Sequence, residues 1–177
     1  MIHLITGCMG SGKTERLIEL ADQVPDVRKL ILGLRKMGEH NVFTKTISSR
    51  NGRTVLCSNV PLMQKMLAEI PHTLTDVFID EGQWAYRQRI ANAKRLSDRG
   101  LNIYVSLLDR TYTGEHYDTF LSWQDVADQI TTMHGVCAVT GGVAEYSELL
   151  TDAESVRKED YRAVCHRIFK ESKHCRI

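Results

Sequence analysis

Ile2-His3-Leu4-Ile5-Thr6-Gly7-Cys8-Met9-Gly10-Ser11-Gly12-Lys13-Thr14 decides the fold. The apolar run Ile2 to Thr6 reads as a strand, Gly7 to Thr14 satisfies G-x-x-x-x-G-K-[ST] in full, and helical periodicity runs from Lys13 to Gln23. Strand, glycine turn and helix in that order make a phosphate-binding loop. The glycines let backbone N–H groups close around phosphate oxygens, Lys13 reaches the β- and γ-phosphates, and Thr14 offers a hydroxyl to Mg²⁺. Gly7, Met9, Gly10, Ser11, Gly12, Lys13 and Thr14 are thus the expected ATP contacts.

Outward from this loop, apolar strands alternate with helix-period segments, the signature of a parallel sheet wrapped by crossover helices. Further strands are expected at Lys29 to Leu34, Thr54 to Ser58, Asp76 to Asp80 and Asn102 to Leu108, and further helices at Leu62 to Glu69 and Trp84 to Arg99. The polar segment Gly38 to Arg53 has no clear period and reads as a mobile loop. After Ile130 the pattern breaks into short apolar pieces around Gly135 and Gly141-Gly142 and ends in a basic tail. We therefore expect an α/β P-loop domain over residues 1–130 and a small unit over 131–177.

Val77-Phe78-Ile79-Asp80-Glu81-Gly82-Gln83-Trp84 carries the second piece of chemistry. An apolar strand delivers two adjacent carboxylates to its carboxyl end, the edge at which open α/β sheets bind ligands. Beside a P-loop, Asp80 suits the metal and Glu81 suits proton abstraction from an attacking hydroxyl. The competing reading is an acidic helix N-terminus that only complements the helix dipole.

Bulk composition narrows the function classes. The chain has 177 residues, 42% hydrophobic and 25% charged, with a formal net charge of +1. Such a near-neutral balance lacks the surplus of Lys and Arg that coating duplex nucleic acid requires. No apolar stretch approaches the ~20 residues that cross a bilayer, so a soluble cytoplasmic protein without membrane partners is expected. Five widely spaced cysteines, an odd number, argue against a disulfide framework.

The two motifs together resemble a family, the thymidine kinases of the cellular and poxviral type. The likeness rests on Gly-x-Met-x-Ser-Gly-Lys-Thr at 7–14 and on Ile79-Asp80-Glu81-Gly82-Gln83 with an aromatic at 84. It continues through Leu107-Leu108-Asp109, Thr111-Tyr112, Ala127 to Ile130, Val136-Cys137, Ala144 and Glu159 to Cys165. The resemblance implies ATP and Mg²⁺, phosphorylation of thymidine or deoxyuridine, Lys13 and Glu81 as catalytic residues, and a small "lasso" domain closing over the nucleoside. By position it implies Asp80 and Gln83 in the cofactor site, with Thr14 and Asp80 on the metal side, and Met9, Trp84, Tyr112 and Tyr161 against the nucleoside. It also implies a homotetramer.

Departures from the family pattern are equally specific. The family holds a structural zinc on two pairs of ligands three residues apart, whereas here Cys137 is followed by Thr140 and Cys165 by Ile168. A closed zinc site needs four ligands, so no zinc is expected, and Cys137 and Cys165 read as remnants. The family's Asp-x-Arg has no clear equivalent in Lys36 to His40, so its role in metal or phosphate binding is either lost or moved to Glu39, Arg50 or Arg53; Arg110 or an Arg of the mobile loop is a candidate for charge near the γ-phosphate. The paired glycines before the lasso tyrosine are replaced near Val156-Arg157-Lys158. Two other functions stay open on the residues alone: a P-loop ATPase working with a partner or nucleic acid, and a nucleotide sensor without turnover.

Overall fold

Alternating side chains along the strands sort the core into two layers. Strand β1 (Ile2–Thr6), β2 (Lys29–Met37), β6 (Asp76–Asp80), β7 (Asn102–Ser106) and β8 (Gln129–Thr132) run parallel in one sheet, whose edge beside β2 is closed by antiparallel β3 (His40–Thr44). Leu30, Leu32, Leu34, Val77, Ile79, Ile103 and Val105 face one layer, and Ile31, Phe78 and Tyr104 face the other. This is the period-2 rule of a strand buried on both faces. The computed structural model describes residues 1–37, 40–58, 71–151 and 158–176.

Helices cover both faces. Helix α1 (Lys13–Asp22) packs Leu17, Ile18 and Ala21 against Ile5, Ile31 and Phe78. On the opposite face, α2 (Arg87–Asp98) contributes Ile90, Ala93 and Leu96, and α3 (Asp118–Gln124) contributes Phe120 and the fully buried Trp123. Burying such a side chain stabilises the fold by roughly 1.5–3 kcal/mol. Among the described residues no helix is long and apolar enough to cross a membrane.

The α/β sheet is therefore present, with corrections of detail. The expected mobile loop Gly38 to Arg53 contains β3 and most of a hairpin, β4 (Thr46–Ser48) with β5 (Thr54–Leu56). Thr54 to Ser58 was expected in the parallel sheet, yet Thr54–Leu56 pairs only with β4, as a separate two-stranded sheet. One buried side chain explains the order: Ile47, 5% exposed, seats the hairpin on the core beside α1, while its flanking residues face solvent. Such a lone anchor carries no periodic signal. The helix expected from Trp84 begins only at Arg87, because Gly82–Trp84 forms a 3-10 turn first. The expected helix Leu62 to Glu69 lies outside the described residues.

Beyond the sheet, short antiparallel pairs make up the C-terminal region: β9 (Gly135–Val136) with β10 (Val143–Ala144), and β11 (Tyr146–Leu149) with β12 (Tyr161–Val164). Helix α4 (His166–Lys170) closes their core of Cys137, Ala144, Ala163, Val164 and Phe169. Cys8 of the P-loop belongs to this same cluster, so the phosphate loop and the C-terminal strands share packing. The sheet strand β8 runs through residues 129–132, across the point where the composition changes.

Candidate active site

The P-loop connects the carboxyl end of β1 to the first turn of α1, so its backbone N–H groups and the positive helix end meet one cavity of about 160 Å³. Gly7 adopts φ 138°, and a Cβ there would stand 2.0 Å from the Met133 carbonyl oxygen. Only glycine permits that approach. The Met9 N–H donates to the Ser147 hydroxyl at 2.9 Å, and Lys13 donates to the Cys8 carbonyl at 2.7 Å and the Ser11 hydroxyl at 3.5 Å. Burial pushes the Lys13 ammonium below its ordinary range, opposed by Cys8, Glu81, Asp80 and Asp109.

Parallel register brings Asp80 to this cavity. Asp80 follows Ile79, which pairs with Val105, so the next residue of β7, Ser106, lies alongside and donates its hydroxyl to Asp80 Oδ1. The Thr14 hydroxyl donates to Asp80 at 3.2 and 3.3 Å from the two carboxylate oxygens. A hydroxyl and a carboxylate converging at the P-loop cavity are the oxygen donors a hard divalent cation takes.

Glu81 carries the most informative backbone. At φ 59°, ψ 42° it is the one non-glycine residue with positive φ among the described residues. Such a conformation costs on the order of 1 kcal/mol and persists only where surrounding contacts impose it. Those contacts are identifiable: Trp123 Nε1 donates to the Gly82 carbonyl at 3.1 Å, Thr119 donates to the Gln83 carbonyl at 2.9 Å, and Gly82 lies so close to β7 that a Cβ would stand 2.4 Å from Val105. The Gln83 amide donates to the Glu81 carboxylate while its oxygen accepts the Leu108 N–H at 3.1 Å. Because the next α-helix begins at Arg87, neither carboxylate caps one.

A larger cleft of about 750 Å³ opens beside the first cavity. Both are lined by Met9, Ser48, Asp80, Glu81, Gln83 and Leu108, so the carboxylates stand where the two meet. Aromatic rings wall the cleft: Trp84 stands edge-on to Tyr117 at 6.0 Å, and Tyr112 is tilted against Tyr161 at 6.4 Å. His174 meets Tyr112 edge-on at 5.5 Å, and the Arg176 N–H donates to the Thr113 carbonyl at 3.0 Å, which ties the C-terminal tail to this wall. Burial pushes the Tyr117 hydroxyl up to about 12, with Tyr161 and Glu81 adding to the shift.

At the position where the family holds zinc, Cys137 is buried, and hydrogen bonding, first from the Thr140 hydroxyl, draws its thiol down to about 6. That hydroxyl also lies 3.9 Å from Cys165 Sγ. Ile168 packs into the apolar cluster and offers no donor, and among the described residues no three His, Cys, Asp or Glu side chains gather. These residues do not fit a closed tetrahedral zinc site.

Of the residues singled out in the sequence, Met9, Gly10, Gly12, Lys13, Thr14, Asp80, Glu81 and Gln83 line the first cavity, while Gly7 and the buried Ser11 shape the loop behind it. Trp84, Tyr112 and Tyr161 join Met9 around the cleft. Glu39 lies outside the described residues. Arg35, Ser106, Tyr117 and Ser147 were not foreseen. For Ser106 a signal existed: it is a polar residue at the carboxyl end of an apolar strand. Tyr117, Ser147 and Arg35 had none, since only the tertiary arrangement turns them to the cleft.

The thymidine kinase family model matches residues 1–169. The chain is similar to the thymidine kinase of Rhodothermus sp. (strain ITI 518), 26% identical over 173 residues that cover 96% of this chain and 81% of that protein. It is also similar to the thymidine kinase of Bdellovibrio bacteriovorus (strain ATCC 15356 / DSM 50701 / NCIMB 9529 / HD100), 25% identical over 173 residues, 96% of this chain and 85% of that protein.

Proposed function

The chain belongs to the thymidine kinase family, whose members are nucleoside kinases, and on that premise we propose that it transfers the γ-phosphoryl group of ATP to the 5′-hydroxyl of a deoxynucleoside, thymidine or deoxyuridine. The observation that carries this reading is Glu81, held in a left-handed conformation by packing and set between a P-loop cavity and an aromatic cleft. Strain retained at one residue, at the junction of two cavities, marks a group placed for chemistry.

In this reading the P-loop N–H groups and Lys13 hold the phosphates, while the rings of Trp84, Tyr112, Tyr117 and Tyr161 take the base and sugar. Glu81 accepts the 5′-hydroxyl proton, the hydroxyl oxygen bonds to the γ-phosphorus, and the bond from that phosphorus to the β-phosphate oxygen breaks to release ADP. Gln83 orients the Glu81 carboxylate. Thr14 and Asp80 would hold Mg²⁺, whose charge, when bound, offsets that of the phosphoryl oxygens. The short strand pairs β9–β10 and β11–β12 act as the small unit that closes over the nucleoside, since Ser147 and Tyr161 reach the cleft from it.

Incubation with ATP, Mg²⁺ and each deoxynucleoside tests the proposal. Nucleoside-dependent ADP release with formation of a deoxynucleoside monophosphate is expected. ADP release that ignores nucleoside would point instead to an ATPase, and ATP binding without any release to a sensor.

A further inference from the structure

Besides Arg35, which lines the cleft, Arg50, Arg53 and Arg110 stand near the candidate site, and their surroundings set these three apart. Arg53 is ion-paired with Glu15 at 3.4 Å and with Asp22, which pins the hairpin to α1. Arg110 donates to the Gly114 carbonyl at 3.0 Å, lies 3.6 Å from the Asp109 carboxylate, and faces the cleft. Arg50, at the tip of the same hairpin as Arg53, carries neither an ion pair nor a hydrogen bond among the described residues. Its guanidinium instead rests on the P-loop: a Cβ at Gly10 would stand 3.0 Å from Arg50 Nη1 and 3.4 Å from its Cζ.

That placement is imposed by the hairpin. Ile47 seats one strand in the core, the Arg53 ion pairs hold the other end on α1, and the turn between them is closed by the Ser49 N–H donating to the Arg53 carbonyl at 2.9 Å. With both ends fixed, the tip lies over the phosphate cavity, where Arg50 faces the same space as Lys13, Thr14 and Asp80. A guanidinium is a planar fork of donors that matches phosphate oxygens. Positioned there with no ion pair among the described residues, its charge is available to a ligand's anion.

We propose that Arg50 binds the triphosphate across the P-loop and offsets charge on the phosphoryl group during transfer, the role left open by the missing Asp-x-Arg. The inference rests on the kinase reading of this site. It also assigns the β4–β5 hairpin a function, that of presenting one cation to the nucleotide.

Because Arg50 is exposed and unpaired among the described residues, Arg50→Ala should fold and melt like the parent protein. The test measures ATP affinity, kcat and nucleoside KM for the parent, Arg50→Ala and Arg50→Lys, with and without millimolar guanidinium chloride. Arg50→Ala should weaken ATP binding about tenfold and lower kcat roughly 10²-fold, the scale of one preorganised donor. Nucleoside KM should change less than about threefold, Arg50→Lys should fall between, and guanidinium, unlike equal sodium chloride, should restore part of the Arg50→Ala rate. A general loosening of the hairpin would not respond to guanidinium. If the parent turns over and Arg50→Ala keeps kcat within about threefold, the Arg50 assignment is overturned while the kinase reading stands. If the parent shows no nucleoside-dependent turnover, the kinase reading falls, and unchanged ATP affinity in Arg50→Ala would then overturn the Arg50 assignment too.

Discussion

The two ends of the candidate site are built on different plans. At the phosphate end, Gly7 to Thr14 are contiguous, and one strand, one turn and one helix put the loop's own groups in place. At the cleft end, Arg35, Trp84, Tyr112, Tyr117, Ser147 and Tyr161 come from separate segments and meet only when the C-terminal strands pack on the sheet. Glu81 stands between, in a conformation its own residue type disfavours. A local site tolerates change elsewhere in the molecule; an assembled one inherits every shift in the elements that supply it.

The largest expected effect is at the local end. Lys13→Ala should lower ATP turnover at least ~10³-fold, because the phosphates lose their main protein counter-charge. Burial lowers the Lys13 pKa, so keeping it charged at neutral pH costs the native state stability, and the melting temperature of the variant should not fall. Steady-state rates beside a thermal melt check both. Rates within tenfold of the parent would remove the P-loop from the mechanism.

Next come two substitutions at Glu81 that separate chemistry from strain. Glu81→Gln keeps shape and backbone but cannot take a proton, so kcat should drop about 10²- to 10⁴-fold with ligand affinities little altered. Glu81→Gly should be equally slow, yet more stable by up to about 1 kcal/mol, since glycine adopts the left-handed region freely. A Glu81→Gln variant with near-normal kcat would make the carboxylate structural.

At the assembled end, Tyr161→Ala should raise the nucleoside KM roughly tenfold, on the scale of a lost aromatic contact, with ATP KM within about twofold. Equal losses in both KM values would mean that the cleft and the phosphate cavity are not separate sites. The smallest effect concerns Tyr117. Its folded pKa of about 12 lies above the ordinary 10, so the unfolded chain ionises first: stability is intact below pH 10 and declines as pH rises toward 12. Tyr117→Phe removes that contribution, so its melting temperature should decline less than the parent's over the same interval. Parallel declines would indicate that Tyr117 is solvated.

Ile2 to Thr14 and Val77 to Trp84 could be read directly, because their chemistry resides in contiguous residues whose strand and turn preferences agree with their final conformation. The hairpin could not. Thr46–Ser48 and Thr54–Leu56 look like loop because just one of their side chains, Ile47, is buried, and a single anchor makes no period. Strand β8 was missed for a related reason: Gln129, Ile130 and Thr132 remain exposed at the sheet edge, so the stretch lacks the apolar run of its neighbours.

By itself the sequence determined that this chain carries a P-loop motif at an α/β sheet edge and presents an Asp-Glu pair there, since a glycine turn and a strand end are local structures. Only the tertiary structure decided which groups surround that pair. Ser106 reaches Asp80 across 26 positions because β6 and β7 are neighbours in parallel register, and Trp123 reaches the Gly82 carbonyl across 41 because α3 packs beneath the turn. Arg50 reaches Gly10 because Ile47 and Arg53 fix the ends of a hairpin. Contacts of that kind depend on strand order and helix packing, which are settled by burial of the whole core and are not encoded in any one stretch of chain.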